Sequence, residues 1–261
     1  MYFLPRQSLI LLVTTIALLL SSAGRAQFTL RDFSNVNFSG TVDQQWALRT
    51  EDGASQKFQT TFEPRVEVDI AESIRLTAIV RVRADTESNL GFAGSRTHLD
   101  TELREFYLDA DWGGLYWRLG KQQIVWGQAD GLRVLDVINP QEFREFILPE
   151  FEDSRIPLWI ANVEIPLNDD WTAQLLLIPD QTYADLAEPG SAFAMRSPQV
   201  IPEIPLGLAV ELERENKPGR TFKDADLGVR LSAFLGGWDV SLNYLYHYQD
   251  CLLYQSPRLR D

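Results

Sequence analysis

The residues best equipped to select or bind a solute crowd into one irregular stretch after Leu119. Lys121, Gln123, Trp126, Arg133, Asp136, Arg144, Glu145, Glu152, Asp153 and Arg155 mix both charge signs with an indole. Opposed charges held at a narrow point create a transverse field that sorts permeating solutes. The same charges have a plainer use. They can pin a long loop by ion pairs, while Asn139-Pro140 merely ends a turn. A hydrolytic site is a third reading and needs a nucleophile beside a base that another group orients. His98 and His247 are the only histidines. A hairpin turning at Gly236-Gly237 sets His247 opposite Asp226, but Ser241 lies roughly 20 Å away along the strand. A structural His–Asp pair is therefore expected there, and no enzyme. Cys251 is the single cysteine, so neither an internal disulfide nor a Cys/His metal centre is expected, and no cofactor.

The elements that must hold these residues are strands. From Phe58 to Ile70, and again from Ile74 to Asp85, apolar and polar residues alternate, with Ala71-Glu72-Ser73 as the turn. Period-two alternation places successive side chains on opposite faces of an extended chain. Each arm is long enough to cross a bilayer at the tilt of a barrel strand. Further strands are read at Phe38 to Leu48, Glu102 to Trp112, Leu115 to Val125, Trp159 to Ile165, Trp171 to Ile178, Asp226 to Phe234 and Trp238 to Tyr248. Gln44 is the misfit on an otherwise apolar row of the first. The row Trp238, Val240, Leu242, Tyr244, Tyr246, Tyr248 is aromatic at both ends, as interfacial girdles are.

Tight turns fix register. Gly113-Gly114 sets Asp109 opposite Arg118 and Ala110 opposite Trp117. The first hairpin sets Glu63 opposite Arg81 and Asp69 opposite Arg75, and the last sets Asp226 opposite His247. Opposite charges thus meet across the polar face, each pair contributing about 0.2–1 kcal/mol. The fold class expected is all-β: an antiparallel transmembrane β-barrel of about nine crossing strands, with long outer loops that have room for short helices.

Arg6, the apolar run Leu9 to Leu20 and Gly24-Arg25-Ala26 read as a secretory signal peptide over residues 1–26, cut after Ala26. Residues 27–250 would then form the barrel. The formal net charge of −13 becomes more negative once Arg6 and Arg25 leave, which argues against nucleic acid as a partner. Outer-membrane lipid, a small permeant and an envelope transport complex are the partners to consider. Short turns of such barrels face the periplasm and long loops face outward. By that parity Pro179 to Ala225 is one outer excursion, and Leu206 to Arg214 does not cross separately. The tail, residues 251–261, is polar and basic and lacks a terminal aromatic strand. It is read as a truncation or frameshift of a larger barrel.

Gly120-Lys121-Gln122, Trp126-Gly127 and Asp136-Val137-Ile138-Asn139-Pro140, with Phe143 to Phe146 and Glu152 to Pro157, resemble the porin-like outer-membrane proteins grouped as domain-of-unknown-function family 1302. The resemblance also takes in Gly228 to Tyr248. It implies a large single-chain outer-membrane barrel with a channel or transport role for small or amphiphilic solutes, and no particular substrate. A non-conducting scaffold of an envelope complex is the alternative.

Overall fold

The computed structural model describes residues 25–33, 35–86, 99–127, 135–145, 151–187, 193 and 222–248. Twelve strands occur there: β1 Arg25–Phe33, β2 Val36–Leu48, β3 Ser55–Ala71, β4 Ile74–Asp85, β5 Leu99–Trp112, β6 Leu115–Gln122, β7 Glu142–Phe143, β8 Leu158–Pro166, β9 Trp171–Ile178, β10 Asp185–Leu186, β11 Asp226–Leu235 and β12 Trp238–Tyr246. Ten of them form one sheet in the order β1-β2-β3-β4-β5-β6-β8-β9-β11-β12. Every neighbour pair of that sheet with a described register is antiparallel. Between them, β7 and β10 make a two-residue parallel bridge. A single helical turn, Phe151–Ser154, is the helix among the described residues, so no helix there is long and apolar enough to cross a membrane.

The all-β expectation holds, and nine of the ten sheet strands are those the alternation predicts. The tenth is β1, which straddles the expected cleavage point and pairs with β2 from Arg25↔Asp43 to Phe33↔Val36. The strand expected over Leu115 to Val125 stops at Gln122, and Gln123 to Gly127 leaves the sheet. Neighbours β9 and β11 pair directly from Asp226↔Ile178 to Ala233↔Trp171, the pairing that a single excursion from Pro179 to Ala225 would give; residues 188–192 and 194–221 of it lie outside the described residues. Leu206 to Arg214, the tail 251–261 and the leader up to Gly24 lie outside the described residues.

The chain divides into two compact units, Met1–Asp69 with Thr77–Leu103, and Ile70–Leu76 with Arg104–Asp261. In the first, burial runs opposite to that of a water-soluble sheet. The polar row of β3 and β4 is the covered one, with Lys57, Gln59, Thr77, Arg81, Arg83 and Asp85 all buried, while Phe62 is exposed. Arg81 joins Glu63, as the turn predicts, and Arg83 reaches Asp100 at 2.9 Å. Asp69 sits in β3 and its N–H donates to the Asn35 carbonyl at 2.9 Å, while Arg75 is exposed on β4. On the apolar face Trp46 meets Phe58 edge-on at 6.4 Å. The misfit Gln44 is answered by its cross-strand partner: the Thr60 hydroxyl donates to Gln44 Oε1 at 2.6 Å.

The second unit shows the same reversal over five strands, while β12, at the edge, is largely exposed on both faces. Register aligns one face as Phe106, Leu108, Ala110, Trp112 on β5 against Lys121, Leu119, Trp117, Leu115 on β6. It continues through Trp159, Ala161, Val163, Ile165 on β8 and Leu177, Leu175, Ala173, Trp171 on β9. The row ends on Leu227, Val229, Leu231, Ala233, Leu235 and their β12 partners Tyr246 to Trp238. Trp112 and Trp238, both 76% exposed, stand with Trp171 at the short-turn end, and Phe106, Trp159 and Tyr246 stand at the other. From Trp238 to Tyr246 is about 26 Å of strand, which a 40° tilt shortens to about 20 Å, close to the height of a lipid-facing apolar band.

Candidate functional site

The site grows from the opposite face of the second unit's strands. Near the short turns that face is polar, with Asp109, Arg118, Asn162, Glu164, Gln174, Arg230 and Ser232 around one cavity. Arg118 carries out the predicted pairing, donating to Asp109 at 2.6 Å and 3.2 Å, and its guanidinium lies 4.4 Å over the Tyr107 ring. Farther along, the same rows turn apolar at Ile160, Leu176 and Ile178. A polar row that changes character partway needs a cover, because apolar surface gains by leaving water. The long loop supplies it: Ile124, Trp126 and Ile138 join Leu158, Ile160, Leu176 and Ile178 in one buried cluster, with Leu245 packed against it.

Each motif residue of the loop has a job in this fold-back. Gly120 has φ +136°, and a Cβ there would overlap the Phe106 carbonyl oxygen, so only glycine fits at this point of the strand. Gln122, fully buried, donates from Nε2 to the carbonyls of Ile160 and Arg118, each at 3.0 Å. Trp126, 3% exposed, lies on the inner wall and its indole N–H donates to Gln174 Oε1 at 2.8 Å. It fits because the residue beneath is Gly228, whose absent Cβ would approach the indole to 3.1 Å. Asn139 ties the two ends of the loop together. Its Oδ1 accepts the Ile124 N–H at 2.8 Å, and its Nδ2 donates to the Ile156 carbonyl at 2.9 Å and the Gln122 carbonyl at 3.4 Å.

Of the charges that sequence reasoning assigned to a constriction, Asp136, Arg144 and Arg155 are engaged in ion pairs. Asp136 and Arg155 form a buried pair at 2.8 Å. Arg144 joins Glu142 and, at 3.3 Å, Asp185, next to the β7–β10 bridge. At the helical turn the carbonyls of Glu152 and Asp153 accept from the buried Arg104 at 2.9 Å and 3.1 Å. Glu145 is half-buried in the turn after β7. Gln123 does line the cavity and donates to Glu105 at 3.0 Å. Lys121 pairs with Phe106 and Trp159 on the outward row, away from the cavity. Arg133 lies outside the described residues. Asp226 accepts the backbone N–H of Tyr248 at 3.3 Å, whereas the predicted His247 ring turns its Nδ1 to the Tyr248 carbonyl at 3.0 Å.

Sequence reasoning missed Asn162, Glu164, Gln174 and Gly228 as wall residues. The signal was present: three of them occupy the polar parity of their strands. Among the described residues no group of three or more His, Cys, Asp or Glu is placed to hold a metal ion.

These features define an all-β protein whose sheet covers charge and presents apolar rows, with one loop folded onto its polar face. The family model described as a protein of unknown function, DUF1302, matches residues 28–257, and the chain belongs to that family. No curated protein and no solved structure matches the chain.

Proposed function

We propose that this chain is an outer-membrane β-barrel that passes or exports small or amphiphilic solutes, with the loop from Gln123 to Pro157 folded inward as its constriction. The leader over residues 1–26 carries it across the inner membrane and is cut off. The reversed burial carries the reading. A sheet that covers Arg81, Arg83 and Asp85 while exposing Leu175, Leu177 and Val229 on strands inside it suits hydrocarbon on one side and water on the other. The net charge of −13 disfavours nucleic acid. An enzymatic role has no support from His247, whose ring nitrogen faces a backbone carbonyl.

A second reading has its own observation. The apolar cluster around Trp126 covers the inner wall at the loop end, and a barrel sealed there would serve an envelope transport complex as a non-conducting scaffold. Single-channel recording separates the two. Refolded chain starting at Gln27 is expected to give stable, reproducible current steps in planar bilayers. Insertion without steps would reject the channel and leave the scaffold.

A further inference from the structure

The cavity beside Gln123 to Val125 has an unpartnered donor, Arg230 Nε, at one side and an unpartnered acceptor, Asn162 Oδ1, at the other. Register lays Glu164, Gln174, Arg230 and Asn243 in one row across β8, β9, β11 and β12. Gln174 is engaged, accepting from Trp126 and reaching Glu164 at 3.4 Å. Arg230 makes no ion pair among the described residues, and its Nε is buried without a hydrogen-bond partner. On the Glu164 side, Asn162 is 6% exposed and its Oδ1 has no partner either. Asn162 and Glu164 share one face of β8, two residues apart. The other charges lining the cavity are Asp109 and Arg118, which neutralise one another, and Asp111, exposed at the turn.

We propose that this wall binds a zwitterion, its ammonium donating to Glu164 and the Asn162 amide oxygen and its carboxylate accepting from Arg230. A solute with one charge compensates one end only and leaves the other half-buried charge without a counter-charge, which is costly. Two inter-strand spacings, about 10 Å of backbone, separate β8 from β11. An α-amino acid, with its two charges on adjacent carbons, is too short to bridge them. The fitting class is an ω-amino acid with several carbons between its charges. This inference deepens the channel reading and rests on it, because it makes the wall the selective element of the pore.

The test is calorimetric titration of the full chain in detergent with 4-aminobutyrate, butyrate and butylamine. 4-Aminobutyrate is expected to bind about tenfold or more tightly than either singly charged analogue. Glu164→Gln and Arg230→Gln should each cost about the same factor. The double variant Glu164→Arg with Arg230→Glu should recover most of the loss, since a zwitterion can reverse. That recovery also shows that the single variants fail for want of charge rather than of fold. Butyrate binding as tightly as 4-aminobutyrate, unchanged affinity in either single variant, or no binding of 4-aminobutyrate overturns the proposal. Current steps without binding would sink this inference and spare the channel; binding without steps would do the reverse.

Discussion

Replacing Asn139 by alanine is expected to free the loop from the inner wall and raise single-channel conductance about threefold or more. One amide holds both ends of the loop, through the Ile124 N–H and the Ile156 and Gln122 carbonyls. Alanine leaves a buried N–H and its carbonyl partners unmet, at about 2–3 kcal/mol. Trp126 then loses its hold, because Ile124 anchors the segment that carries it onto Gln174 and Gly228. Asn139→Asp keeps the acceptor and loses both donors, so it should fall between parent and alanine. Step size in planar bilayers and the urea midpoint in detergent check both effects. Wild-type conductance and stability in Asn139→Ala would mean that the loop is held by other contacts.

The second large effect separates lipid from water as the neighbour of the outward face. Val229 sits in the middle of that face, paired with Leu175 and Tyr244, and is exposed. In hydrocarbon Val229→Arg should cost about 2–4 kcal/mol. On a water-washed surface an exposed substitution of this kind stays within about 0.5 kcal/mol. Reversible urea unfolding from lipid vesicles reads the difference. Ser232→Lys, on the inward face of the same strand, is the matched control and should change little.

The strands were legible because the alternation is long and each short turn sets a register. Asp109 opposite Arg118, Arg230 opposite Asn243 and Glu63 beside Arg81 all follow from where three turns fall. The first strand escaped notice for a local reason. Ala26, Phe28 and Leu30 do alternate, but they abut a leader whose cleavage pattern claims Arg25 and Ala26. The loop was legible as a special segment and not as a structure. Its anchors join residues far apart in the chain, such as Trp126 with Gly228 and Gln122 with Ile160, and no local pattern encodes that. The loop charges read as a field across a pore, yet Asp136–Arg155 and Arg144–Glu142 are ties within the loop, and Arg144 also reaches Asp185 on β10. One clue was available: Ile160, Leu176 and Ile178 interrupt polar rows near the loop end, which calls for a covering element.

The most direct test of the membrane account is a nitroxide scan along β9 in lipid vesicles, with Cys251→Ser removing the native thiol and single cysteines placed from Thr172 to Leu177. Accessibility should alternate. Labels at Ala173, Leu175 and Leu177 should collide with oxygen dissolved in the bilayer, those at Thr172 and Gln174 with a water-soluble nickel chelate, and the label at Leu176 with neither while Trp126 covers it. If the nickel chelate reaches Ala173 and Leu175 as readily as Thr172 and Gln174, the apolar rows face water and the chain is not a membrane-spanning barrel.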